Sequence, residues 1–314
     1  VLYATPSIGI SLYPIDGTDA NTLLRNADTA MYHAKDAGRN NHQFYTARMN
    51  AAAGERLHME NELRQAISAI SPDDSEFSLH FQPQVHTATG RVLGLEALLR
   101  WNNPTFGSVS PMRFIAIAEE TGLIQPLGDW VIWETCRQIR QMKQRGIEGV
   151  RIAINISAQQ LRHENLLLLV RGALACYDLQ AEDIELEVTE STAMQNPETT
   201  LSILDQLAAM GIMLAIDDFG TGYSNLSHLS QLPLDVLKID RSFVHHMLDD
   251  EQDRAIVEGV IGLARTFGCV VVAEGVETAE QMEFLRSCGG TVVQGYYLAR
   301  PMPHAALTEW IARG

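Results

Sequence analysis

The chain has 314 residues, 46% of them hydrophobic, which is enough for one large core plus an appendage. Its formal net charge is −16, from 39 acidic and 23 basic residues, and this argues against a duplex nucleic-acid surface, which needs clustered Lys and Arg. No apolar run of about 18 residues and no signal peptide occurs, so no membrane segment is expected in this piece. Because the first residue is Val, the chain is expected to be cut from a longer cytoplasmic protein, with any membrane or sensor region upstream. The four cysteines, Cys136, Cys176, Cys269 and Cys288, form no CxxC pair, so buried free thiols are expected and zinc is not.

Residues 1–45 predict a strand over Ser7–Tyr13, a turn over Pro14–Thr18, and a helix. Leu23, Leu24, Ala27, Ala30, Met31 and Ala34 mark one face of that helix, with Gly38 as its stop. The piece is too small to bury a core alone. From Ala47 to Ile70 a helical spacing of Leu57, Leu63, Ile67 and Ile70 predicts a linker helix, ended by Pro72 and two aspartates. The expected division is therefore 1–46, a linker helix over 47–72, and a main domain over 73–314.

From Phe77 strands and helices alternate. Strands are expected at Phe77–Gln84, Arg91–Trp101, Val150–Ser157, Asp183–Thr189, Ile212–Asp217, Val236–Asp240, Cys269–Glu274 and Thr291–Gln294. A helix starts at Ser110-Pro111 and stops at Gly122; others fall at Ile124–Arg145, Glu164–Tyr177, Pro197–Met210, Asp250–Phe267, Thr278–Ser287 and Pro303–Ala312. Eight strands interleaved with helices predict a (β/α)8 barrel. Only VHTATG joins the first two strands, too short for a parallel crossover, so these two should pair antiparallel.

Most of these strands end in polar groups that an apolar strand would not otherwise carry. They are Glu96 with Arg100 on the same face, Asn155, Glu187 with Glu190 three residues on, Asp217 and Asp218, Lys238, Glu274 and Gln294. In a barrel such positions converge on one mouth, where active sites are built. Adjacent Asp217 and Asp218 repel each other, so either both are solvated or they hold a divalent metal. Asn with carboxylates is hard-oxygen chemistry that suits Mg²⁺ or Mn²⁺ in a two-ion hydrolytic centre.

Two resemblances follow from these motifs. SIGISLYPIDGTDANTLLRNADTAMYHAKDAGRNNHQFY resembles the last third of the GGDEF domain of diguanylate cyclases; the signature loop that cyclises GTP is not in the chain, so no cyclase activity follows. FQP, EALLRW, INIS, EVTE, DDFGTGYSNL, LKID, AEGVE and QGYYLARPM, in that order, resemble the EAL domain, the cyclic di-GMP phosphodiesterase family. The resemblance implies a modified TIM barrel with one antiparallel strand and metal-dependent hydrolysis of cyclic di-GMP to pGpG, the alternative being an inactive cyclic di-GMP receptor.

It also implies roles. Glu96, Asn155, Glu187 and Asp217 look like ligands of one ion, and Asp217 with Asp218 of a second, with Glu274 acting directly or through water. Lys238 looks like the group that orients the attacking water, and Glu190 like the residue that holds the loop after the aspartates. Lys238, Glu274, Glu190 and Glu96 are thus the catalytic candidates. Gln82, Arg100 and Gln294 look like backbone contacts of the ligand; Asp240 and Glu277, and also Asn155, are substrate-side candidates. A homodimer is expected from the family's habit of pairing near the DFGTGYSNL loop.

Overall fold

The structure is a computed structural model that describes residues 6–36, 40–71, 75–222, 226–289 and 292–313. The expected helix stops at Gly38 and Pro72, and part of the DFGTGYSNL loop, lie outside the described residues. The chain divides into two compact units, Val1–Ser68 and Ala69–Gly314.

In the first unit, strands Ile8–Ile10 and His42–Phe44 pair in parallel across a helix, Ala20–Asp36. Gly9 is required where the helix crosses the strand: a Cβ there would lie 1.9 Å from the carbonyl oxygen of Ala27. Ala30 and Ala34 are buried as expected, but Leu24 points outward. The helix Ala47–Ser68 buries Met59, Leu63 and Ala66 and leaves Leu57 exposed, so its inward face is rotated from the one expected.

The second unit is a closed eight-stranded barrel. Its strands are β1 (Phe77–His86), β2 (Val92–Asn103), β3 (Arg151–Asn155), β4 (Ile184–Thr189), β5 (Met213–Phe219), β6 (Val236–Ile239), β7 (Val270–Ala273) and β8 (Val292–Val293). Strands β2 to β8 run parallel to one another, while β1 is antiparallel to both neighbours, β2 and β8, and closes the ring. Two short strands outside the ring, Gly107–Val109 and Met302–Pro303, were not anticipated.

The covering helices are α1 (Pro111–Thr121), α2 (Ile124–Gln144), α3 (Leu166–Tyr177), α4 (Pro197–Ala209), α5 (Glu251–Phe267), α6 (Ala279–Ser287) and α7 (His304–Arg313). Their ends follow from local chemistry. Pro111 follows the extended N-cap Ser110, and Gly122 closes α1 in the left-handed region that glycine tolerates. Asp250 accepts from the amides of Gln252 and Asp253 to cap α5, and Thr278 with Gln281 forms a capping box on α6. None of the described helices is long and apolar enough to cross a membrane.

Side-chain alternation sorts the strands into two faces. Outward residues such as Leu95, Ile152, Ile154, Leu186, Leu214, Ile216, Leu237 and Val271 meet Ile132, Leu204, Val257 and Leu285 from the helices in one core. Each fully buried Leu or Ile in it stabilises the fold by about 1.5–3 kcal/mol. Inward, Ala215, Val236, Val272 and Val292 form a small apolar floor inside the barrel. The strand residues above that floor are polar.

Candidate active site

The inward positions one step above the floor come from every strand. Gln82 in β1 pairs in register with Glu96 in β2, and Asn155 in β3 with Glu187 in β4. Asp217 and Asp218 lie in β5 and Lys238 in β6; Glu274 and Gln294 immediately follow β7 and β8. Gln82, Glu96, Glu187, Lys238 and Gln294 are buried, whereas Asn155 is exposed at the open mouth.

Lys238 is the hub of this ring. Its Nζ lies 2.6 Å from Glu274 Oε1, 2.7 Å from Glu187 Oε2, 3.1 Å from Asp217 Oδ1 and 3.8 Å from Glu96 Oε1. Burial alone would strip the proton from this amine. The surrounding charges of Asp217, Glu187, Glu274 and Glu96 outweigh it and hold the pKa well above the ordinary lysine value. Burial raises the carboxyl of Glu187 well above its usual range, against the pull of Lys238, and pushes Glu274 up to about 8. The amides tie the ring laterally: Asn155 Nδ2 donates to Glu96 Oε1 at 2.8 Å, and Gln294 Nε2 donates to Glu96 Oε2 and to Gln82 Oε1.

Two adjacent aspartates reach one site because the ladder slips there. Ile216 pairs with Leu237 and Phe219 with Ile239, so Asp217 and Asp218 together oppose the single residue Lys238. This is a β-bulge, and Asp218 takes φ +55° within it, a conformation that Asp tolerates better than most residues. The Asp217 carboxylate accepts the Asp218 amide at 2.9 Å. Burial, then the charges of Asp217 and Asp240, push Asp218 up to about 6.

Glu190 is buried at the start of the short helix Glu190–Ala193 and takes no part in the ring. Its Oε2 accepts the Gly220 amide at 2.8 Å, and a Cβ on Gly222 would lie 2.7 Å from its Oε1. It thus fastens the turn directly after the aspartates. Asp240 caps the helix Arg241–His246 through the Ser242 amide, and its charge acts on Asp218. Half-buried Arg100 donates to its own Leu99 carbonyl and lies within electrostatic reach of Glu96. Glu277 stands exposed in the loop before α6, its amide donating to Gln281, and is not drawn into the ring.

One pair near the ring was not singled out from the sequence. Glu185, two residues before Glu187 on the same inward face, is fully buried and its Oε2 lies 2.6 Å from Arg151 Nε. Gly94 makes room beside them, since a Cβ there would meet Gln84 Oε1 at 2.6 Å and Arg151 Cγ at 3.5 Å. The IELEVT alternation carried the signal for Glu185.

Among the described residues, no three acidic, His or Cys side chains already form a cage about one point; the carboxylates converge on the ammonium instead. The donor set nonetheless fits a hard divalent cation. It is all oxygen, and the Oε1 atoms of Glu187 and Gln294 are buried with no hydrogen-bond partner. For Asn155 to join, its amide must present oxygen rather than the nitrogen now facing Glu96.

The EAL domain family matches residues 60–301, and the diguanylate cyclase GGDEF domain matches residues 1–41. Similar proteins from Pseudomonas aeruginosa include the bifunctional diguanylate cyclase/cyclic di-GMP phosphodiesterase MucR, 47% identical over 98% of this chain and 44% of that protein. The cyclic di-GMP phosphodiesterase NbdA is 44% identical over 99% of this chain and 39% of that protein. The chain therefore spans less than half the length of these relatives. A solved structure described as the PaMucR phosphodiesterase in complex with c-di-GMP is 45% identical, with TM-score 0.76, over 80% of this chain and 99% of that one. With its reversed first strand and its match across 60–301, this chain belongs to the EAL domain family and carries a GGDEF fragment at its N-terminus.

Proposed function

We propose that this chain hydrolyses one phosphodiester of cyclic di-GMP, giving linear pGpG, in a reaction that needs divalent metal. The supporting observation is the inward ring of hard donors about Lys238, in a chain 45% identical to a phosphodiesterase solved with c-di-GMP. A bound divalent cation supplies Lewis acidity toward the phosphoryl oxygens and an activated water at neutral pH. Mg²⁺ or Mn²⁺ suits the donors, and two ions fit the double aspartate: Glu96, Asn155, Glu187 and Asp217 for one, Asp217 and Asp218 for the other, with Glu274 direct or through water.

Lys238, within 3.1 Å of Glu187, Asp217 and Glu274, is placed to orient water and to stabilise developing charge. Glu96 and Glu274 flank it as the other catalytic candidates. Glu190 keeps the turn after Asp218 in place. Gln82, Arg100 and Gln294 engage the phosphate–ribose backbone, and Asp240 and Glu277 stand on the substrate side. We further propose a cytoplasmic homodimer, with the working division 1–46, 47–72 and 73–314.

Incubation with cyclic di-GMP and Mg²⁺ or Mn²⁺, with and without chelator, resolved by chromatography, tests the reading. Linear pGpG is expected only with metal. Folded, metal-loaded protein that yields none defeats it, and tight binding without turnover would make the chain a receptor. Equal cutting of arbitrary short oligonucleotides would make it a general exonuclease.

A further inference from the structure

Residues 274–278 join β7 to α6, and the loop begins at Glu274. The Glu274 amide donates to Ile239 O at 3.1 Å. Ile239 ends β6 and Ala273 ends β7, so whatever lies beyond this bond must be held by packing or by side chains. Packing comes first. Gly275 takes φ +70°, and a Cβ there would lie 2.6 Å from Arg241 Cβ, so the loop touches the helix Arg241–His246 that follows Lys238 and Asp240. On the other side the Val276 amide donates to Gln294 O at 3.1 Å.

Gln281 supplies the polar tie, and it is buried. Its Oε1 accepts the amides of Glu277 at 2.7 Å and Thr278 at 3.1 Å, and its own amide donates to the Thr278 hydroxyl at 3.2 Å. This is the capping box of α6. A capping box uses only the side-chain oxygen of the glutamine, and glutamate serves it as well. Here the other end is also spent. Nε2 donates to Val244 O at 3.2 Å, with His245 O at 3.5 Å beside it, both on the helix Arg241–His246. One buried amide thus bridges the loop that starts at Glu274 and the helix that follows Lys238, and those two side chains meet at 2.6 Å.

We propose that Gln281 is a positioning residue for the catalytic ring: its amide clamps the Glu274 loop to the helix after Lys238 and so sets the contact between the two. The role rests on the phosphodiesterase reading for the reaction it serves. Groups behind a metal-binding carboxylate fix its direction, and losing one costs about 10–100-fold in activity or metal affinity. An amide suits the task because it accepts and donates at once, whereas a carboxylate only accepts.

The test uses the whole chain with Gln281→Glu, Gln281→Met and Thr278→Ala. Gln281→Glu keeps the capping acceptor and loses the donor to Val244 O. It should lower kcat on cyclic di-GMP with Mn²⁺ by about tenfold or more, with KM within about threefold. Mn²⁺ binding, measured by calorimetry without substrate, should weaken by about tenfold. Gln281→Met, which keeps the length without a charge, should share both losses. Thr278→Ala removes the capping hydroxyl and leaves the clamp, so it should lower the melting temperature by about 2–4 °C with kcat and Mn²⁺ affinity within about twofold. Parental kcat and Mn²⁺ affinity in folded Gln281→Glu and Gln281→Met overturns the assignment. An equal loss in Thr278→Ala overturns it too, since capping would then be the whole effect. Mn²⁺ binding needs no turnover, so a parent that binds the metal without hydrolysing cyclic di-GMP would sink the phosphodiesterase reading while the calorimetry still judges Gln281.

Discussion

The Asp217 carboxylate lies 3.1 Å from the Lys238 ammonium across the β5–β6 ladder, at the one place where that ladder gives two residues to one. The fixed positive charge and the two acids are therefore parts of one local device. Lys238→Met removes the ammonium that four carboxylates share. We expect kcat to fall by about a hundredfold or more, and the metal-free protein to lose about 3–5 kcal/mol near pH 8. Added Mn²⁺ should restore part of the melting temperature and little of the turnover. A variant with parental stability in chelator would contradict the ion network.

Asp218 combines a left-handed backbone with a carboxylate, and substitutions separate the two. Asn tolerates that conformation, whereas Ala pays about 1–2 kcal/mol of backbone strain there. Asp218→Asn and Asp218→Ala should lose turnover equally, but only the Ala variant should unfold at clearly lower denaturant. Equal midpoints would show that the bulge relaxes without cost.

The metal-free protein should lose stability as pH rises. The folded values of Asp218, about 6, and Glu274, about 8, lie above those of free carboxyls. For an acid raised on folding, the stabilisation is complete below the unfolded pKa, near 4, and disappears as pH climbs through the folded value. Melting temperature in chelator should therefore fall between about pH 5 and 9, and Glu274→Gln should flatten the upper half of that decline. A flat parental profile would count against these shifts.

Glu190 and Gly222 should act as one unit. Ala at 222 would place a methyl 2.7 Å from Glu190 Oε1 and displace the carboxylate that holds the Gly220 amide. Gly222→Ala and Glu190→Ala should each slow turnover by about tenfold or more, and the double variant should be little slower than either. Fully additive losses would separate the two residues. Faster amide exchange at Gly220 in both single variants gives an independent check.

Beneath the ring, Arg151→Met removes the ion partner of the buried Glu185 carboxyl, at an expected cost of up to about 3–5 kcal/mol. Arg151→Met with Glu185→Met should recover most of that loss, read as denaturant midpoints. A double variant as unstable as the single one would mean that shape, not charge, is what matters there.

Much of this was legible from the strands. The apolar alternation around Glu96, Asn155, Glu187 and Lys238 places each on the inward face, and VHTATG forced the antiparallel start that β1 shows. The bulge was not legible, because strict alternation sends neighbours to opposite faces and would have turned one aspartate away. Leu57 fitted a helical stripe by spacing alone, while Met59 and Ala66 set the buried face. The turn after β8 depends on Gly295 passing against Val276, a close approach that no periodicity encodes.

The reversal of β1 has a mechanical corollary. In a uniformly parallel barrel the incoming polypeptide joins at the end remote from the chemistry. Here Phe77 opens β1 beside Trp101, near the rim where the carboxylates gather, and His86 leaves at the opposite pole. The incoming backbone therefore reaches the ring within five residues, at Gln82, whose amide oxygen accepts from Gln294, which in turn donates to Glu96.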